Sequence, residues 1–264
     1  MEIVGYLASA LIGISLGLVG SGGSILTIPV LVYLFQIEPS LATAYSLFIV
    51  GTTALVGGVR CSIQQLVDFP TTVAFAIPSI FTVYITRRFL ISYIPEVLIS
   101  EESVIITKNA GIMVFFALLM MAASYSMIRQ SRQVTKEDSV DAVSPFTIFL
   151  IGAGTGMLTG LLGAGGGFLI IPSLVLFARL PMKKAVGTSL LIIATNSLMG
   201  FLGDIASGRT IDYAFIFLIA SIAIAGIFVG NYLSRFIDGQ KLKSVFGWFI
   251  LVMSVYIIIR EALN

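Results

Sequence analysis

Apolar stretches broken by short polar interruptions run the length of the chain, over about 3–20, 24–35, 41–59, 70–86, 109–128, 144–163, 168–178, 184–203, 211–233 and 243–260. A membrane-crossing helix needs about 20 apolar residues, and most of these stretches approach that length. The first two of each half are shorter pieces joined by glycine-rich turns. Ser24 to Phe35 is too short to cross alone, which suits a half-helix or re-entrant arm. Two polar segments interrupt the pattern. Residues 129–144 carry Arg129, Arg132, Lys136, Glu137, Asp138 and Asp141 and read as a join between halves, whereas 87–108, with Arg87, Arg88, Glu96, Glu101, Glu102 and Lys108, reads as a second loop.

Only 11% of the 264 residues are charged and 58% are hydrophobic. Soluble domains carry about 25% charged residues, and there are too few charges here to coat a soluble surface. An integral membrane protein is the reading, with the lipid bilayer as its obligate partner. The net charge of +2 points to no nucleic acid and to no strongly anionic partner. Cys61 is the single cysteine, which excludes an intramolecular disulfide and leaves a small apolar filler. No basic region precedes the apolar stretch at Ile3, so that stretch reads as a permanent membrane element rather than a cleaved leader.

The sequence repeats itself. Gly17-Leu18-Val19-Gly20-Ser21-Gly22-Gly23-Ser24-Ile25-Leu26-Thr27-Ile28-Pro29 returns as Gly160-Leu161-Leu162-Gly163-Ala164-Gly165-Gly166-Gly167-Phe168-Leu169-Ile170-Ile171-Pro172. The same spacing carries Ala42, Ser46, Leu47, Thr52, Leu55 and Gly57 onto Ala185, Ser189, Leu190, Thr195, Leu198 and Gly200. The expected fold is an all-α polytopic membrane protein of two homologous, inverted helical repeats with Gly-broken re-entrant or discontinuous helices. Residues 1–128 form the first repeat, 129–143 the connecting loop and 144–264 the second repeat.

Lysine and arginine placement bears on orientation. With re-entrant broken pairs, Arg60, Arg129, Arg132, Lys136, Arg179, Lys183, Lys184, Arg235, Lys241 and Lys243 share one side, against Arg87, Arg88, Lys108, Arg209 and Arg260. If each broken pair is one continuous crossing, the bias is weaker. Both versions put the richer side in the cytoplasm and both termini outside, and the sharper bias favours the re-entrant one.

The glycine breaks are the candidate chemistry. A break inside a membrane exposes backbone polar groups, tolerated where protein or a watery cavity satisfies them, and glycine lets a ligand approach closely. A half-helix starting after the break presents free N–H groups and a positive dipole end. Two of them, near Ser24 and Gly167, would cradle an oxyanion without any cationic side chain if the breaks met near the membrane midplane. The alternative is that these glycines only allow close helix packing. Candidate substrate-binding residues are therefore Gly20, Ser21, Gly22, Gly23, Ser24, Ser46, Gly163, Gly165, Gly166, Gly167, Thr188, Ser189 and Asn196. For the hydroxyls and the amide, interhelical hydrogen bonding competes with ligation. Asp68 and Asp212, in Val-Asp-Phe and Ile-Asp-Tyr, read as helix caps.

The two glycine-rich segments, and especially Ala185-Val186-Gly187-Thr188-Ser189-Leu190, resemble the TauE/SafE family of sulfite and organosulfonate exporters over nearly the whole chain. The resemblance implies an inner-membrane carrier exporting small sulfur-containing anions. In the first half Tyr45 stands where the second has Thr188, which makes the two half-sites unequal.

An intramembrane enzyme would need His for a Ser–His pair or zinc site, or a carboxylate dyad. The chain has no His, and its apolar spans hold no convincing acidic pair, so neither catalysis nor a metal or other cofactor is expected. An anion channel or a membrane sensory or scaffold protein remains the alternative to a carrier, and assembly into a homo-oligomer is compatible with the sequence. Asp68, Asp204, Asp212 and Asp238 fall at span ends, where no proton relay is visible. Export driven by the membrane potential is the expectation.

Overall fold

A computed structural model describes residues 2–20, 22–90, 97–101, 104–131, 145–163, 166–208, 210–234, 236 and 239–263. The first half contributes α1 (Glu2–Val19), α2 (Gly22–Pro29), α3 (Pro39–Ile63), α4 (Phe69–Ile85) and α5 (Lys108–Ser131). The second contributes α6 (Pro145–Leu162), α7 (Gly167–Leu176), α8 (Met182–Ala206), α9 (Tyr213–Leu233) and α10 (Gly239–Leu263). Helices thus form where the apolar stretches predict them. Residues 39–63, 69–90, 183–206 and 213–233 are long and apolar enough to cross a bilayer, and shorter apolar helices accompany them. Large apolar side chains such as Leu7 (63% exposed) and Phe81 (69%) stand on the outer surface, where lipid rather than water suits them.

Local signals explain most boundaries. Asp68 caps α4 by accepting from the N–H of Thr71 at 3.1 Å, and Asp212 caps α9 by accepting from Phe215 at the same distance, as expected. Pro29 cannot donate an N–H, and past it the chain widens into a π-helical turn, Val30–Leu34. A second π-turn, Thr86–Leu90, prolongs α4. The loop expected over 87–108 is therefore helical at its start. Farther on, β1 (Val97–Glu101) pairs antiparallel with β2 (Val104–Thr107), with Ile99 opposite Ile106, so among the described residues the regular structure is helical apart from this hairpin. The β-branched residues there favour extended backbone.

Close helix contacts define the arrangement. The Phe35 ring fills the space beside Gly5, and the side-chain direction of Gly23 points at Leu16, so α2 and its π-turn fold back along α1 as a hairpin. Gly187 lies against Cys61, Gly58 against Leu191, Gly57 against Leu190, Gly51 against Leu198 and Gly200 against Leu47. As residue numbers rise along α3 they fall along α8, so these repeat-matched helices run antiparallel. Across the halves, α1 runs parallel to α9, with Gly13 on Ala223 and Gly17 on Gly230, and α4 runs parallel to α6, with Gly152 on Pro78 and Gly160 on Thr86. Each half therefore packs its first helix on the fourth helix of the other.

Candidate functional site

The repeat-matched contacts continue at the seam. The Thr188 hydroxyl accepts from the N–H of Asp68 at 2.9 Å, and the Tyr45 hydroxyl accepts from the N–H of Asp212, also at 2.9 Å. Tyr45 and Thr188 occupy matching positions and do the same work, tying α3 or α8 to the cap of the opposite half. The inequality seen in sequence is thus one of side-chain length, and both hydroxyls are engaged with backbone.

The structure does not bring the two glycine breaks together. Gly20 (φ 80°) abuts Val186, next to Gly187, which lies on Cys61, whereas Gly163 (φ 69°) abuts Thr43. Thr43 and Cys61 are about 27 Å apart along α3 at the rise of an α-helix, so the breaks lie toward opposite ends of the α3–α8 pair rather than meeting at its middle. The physical reason is that antiparallel pairing carries the start of α8 away from the start of α3. Gly22 opens α2, and Ser24 is fully buried. Gly166 (φ 65°) is the N-cap of α7, which begins at Gly167, and its side-chain direction meets the Thr159 hydroxyl. Gly23 and Gly166 thus serve close packing within their own hairpins. Ser21 and Gly165 lie outside the described residues.

Polar residues are instead buried along α3 and α8. Ser46, Ser189, Asn196 and Ser197 are fully buried. The Asn196 amide donates to the Ser79 hydroxyl at 2.6 Å, joining α8 to α4, while Ser189 donates to its own helix at Val186. Among the described residues, the Ser46 and Ser197 hydroxyls and the Asn196 amide oxygen have no hydrogen-bond partner. In a membrane interior such groups are costly unless something satisfies them. By contrast, the buried Thr53 hydroxyl returns to the carbonyl four residues earlier.

A charged pair lies farther along the same helices. Arg87 (1% exposed) places Nη1 3.4 Å from Asp204 Oδ2, both side chains being buried. The same Nη1 donates to the Thr43 hydroxyl at 3.1 Å. Neighbouring Arg88 donates to the Ala206 carbonyl, which anchors this end of α4 on α8. Two expectations are corrected here: the break at Gly163 has a cationic side chain beside it, and Asp204, though near a helix end, is enclosed and ion-paired. Asp238 lies outside the described residues. Hydropathy alone assigned Arg87 to a loop. A usable signal was the four-residue series Phe75, Ser79, Val83, Arg87 on the buried face of α4, matched on α8 by Asn196, Gly200, Asp204.

A family model described as "Sulfite exporter TauE/SafE" matches residues 6–257. A "Probable membrane transporter protein" of Xylella fastidiosa (strain 9a5c) is 28% identical over 261 residues, covering 96% of this chain and 94% of that protein. The "Probable membrane transporter protein YdhB" of Bacillus subtilis (strain 168) is 26% identical, covering 89% and 91%. The Methanocaldococcus jannaschii "Probable membrane transporter protein MJ0441" is 32% identical over 115 residues, covering 41% and 43%. No solved structure matches the chain.

Proposed function

Since the chain belongs to the TauE/SafE family of membrane transporters, we propose that it is an inner-membrane carrier that exports a small sulfur-containing anion, such as sulfite or a sulfonate, through a site between two inverted repeats. The observation that carries this reading is that Ser46 on α3 and Asn196 and Ser197 on α8 are buried, with the two serine hydroxyls and the amide oxygen lacking a hydrogen-bond partner among the described residues. The hydroxyls of Ser46 and Ser197 can donate to the oxygens of a compact oxyanion. Of the two breaks, the one at Gly163 abuts Thr43, about one turn from Ser46 on α3, and it is the one proposed to border the site.

Antiparallel α3 and α8 support the inverted arrangement, because repeat-matched spans that cross in opposite senses are related by an axis lying in the membrane plane. The folded-back α1–α2 hairpin supports a re-entrant arm. Residues 1–128 and 144–264 are the repeats of this arrangement and 129–143 their connection, with both termini outside. Cysteine labelling separates it from continuous crossings. In a Cys61→Ala background, an impermeant thiol reagent added outside is expected to label Gly208→Cys and to spare Gln64→Cys, both exposed positions. Labelling of both would overturn the inverted topology.

An inside-negative potential drives an anion outward by about 2.3 kcal/mol per charge per 100 mV, which suffices for export without a proton gradient. The test is sulfite flux in proteoliposomes with the potential clamped by potassium and valinomycin. Saturable flux and counterflow that reverse with the potential are expected. Unitary currents would favour a channel, and concentrative movement driven by a pH gradient alone would refute the driving force.

A further inference from the structure

We propose that Arg87 is the group that recognises the charge of the transported oxyanion, and that Asp204 is a resident counter-ion which the oxyanion displaces. This rests on the anion-carrier reading above and locates its charged subsite. The duplication supplies an internal comparison. Where one lane holds Arg87, Asp204, Thr43 and Thr159, the repeat-matched lane holds Asn231, Cys61, Val186 and Leu16. The two lanes are built alike: Gly163 abuts Thr43 as Gly20 abuts Val186, and Gly166 meets Thr159 as Gly23 meets Leu16. An uncharged lining therefore fills this geometry adequately.

Burying an ion pair is seldom better for stability than well-packed uncharged residues of similar volume. The lane with Arg87 keeps a guanidinium and a carboxylate where its twin needs neither, which argues that the pair serves chemistry rather than folding. Its location fits an anion. Gly163 has a left-handed backbone, and Arg87 Nη2 occupies the place its Cβ would take, so the guanidinium lies directly on the break that precedes α7. The fork of donors on Arg87 lies against the backbone of Gly163, a placement suited to two oxygens of a sulfite or sulfonate group. Asp204, at 3.4 Å, neutralises Arg87 between loads. An incoming anion takes the carboxylate's place on the guanidinium and leaves as the carboxylate returns.

The experiment uses the full-length purified protein, with sulfite-dependent thermal shift for binding and proteoliposomes for flux. Removing the competing carboxylate in Asp204→Asn is expected to lower the half-saturating sulfite concentration about tenfold or more, the scale of one charge-assisted hydrogen bond. The double variant Arg87→Gln/Asp204→Asn, which leaves no lone buried charge, is expected to lose both the shift and the flux. Asn231→Ala, in the uncharged lane, retains them. A folded double variant that binds and carries sulfite like the parent overturns the proposal, as does an unchanged half-saturation in Asp204→Asn should the double variant not fold. If the parent protein shows neither shift nor flux with sulfite, thiosulfate or methanesulfonate, the anion-carrier reading itself falls, and the charged subsite with it.

Discussion

Gly163→Val is expected to reduce transport to background, whereas Gly154→Val leaves it within about twofold, since a surface substitution away from special features usually changes stability by about 0.5 kcal/mol or less. Gly163 adopts φ 69°, a region that β-branched residues avoid, and its added Cβ would meet the Arg87 guanidinium together with the Thr43 side chain and carbonyl oxygen. Backbone strain of this kind costs about 1–3 kcal/mol before the collision is counted, and the collision is with backbone that cannot step aside. Gly154 faces open space within a helix, with nothing within 4 Å of a built Cβ. Tracer flux, normalised to inserted protein, checks both. Gly166→Val should also fail, through its left-handed cap and the Thr159 hydroxyl, and Gly23→Val through Leu16 and the carbonyl of Ile12. Those two losses would report hairpin packing, whereas the one at Gly163 reports the charged cluster. Undiminished flux in Gly163→Val would remove the break from the site.

The Arg87–Asp204 pair is expected to show the strongest coupling in the molecule. Arg87→Leu removes the guanidinium 3.4 Å from buried Asp204, and breaking such a pair costs about 3–5 kcal/mol. Arg87→Leu/Asp204→Leu removes both charges and should recover most of that loss, because the twin lane shows the geometry accepting uncharged side chains. Denaturant unfolding in detergent of the parent, both single variants and the double variant completes the cycle. Additive losses would mean that the two side chains do not interact. Stability recovered without transport would separate the two roles of this pair, since folding tolerates its removal and anion handling does not.

Helix positions and the capping roles of Asp68 and Asp212 were legible in the chain, because each follows from short-range signals. Runs of apolar residues, glycine pairs followed by proline, and an aspartate before a helix all act within a few residues. The polar seam was legible in part. Ser46, Ser189 and Asn196 stood out as polar residues in apolar spans, yet only packing showed that Asn196 reaches Ser79 on α4 and that Ser189 bonds its own helix. Thr188, a candidate ligand by sequence, accepts from the backbone N–H of Asp68, a contact that only packing shows. Arg87 and Asp204 were misplaced because hydropathy scores a charged residue at a span end as solvent-facing. The buried faces of α4 and α8, however, continue through the π-turn and the final turn of α8.

The sequence by itself determined the membrane character of the chain and the approximate positions of its helices. Both depend on composition and on spacings shorter than one helix. The tertiary structure alone decided which faces of those helices meet. Antiparallel pairing of α3 with α8 separated the two glycine breaks, set Tyr45 and Thr188 to equivalent work, and closed Arg87 upon Asp204 from segments 117 positions apart. No local pattern encodes such a meeting. It follows from how helices far apart in the chain cover each other's small-residue faces, and a charge becomes a candidate site only once that covering has enclosed it.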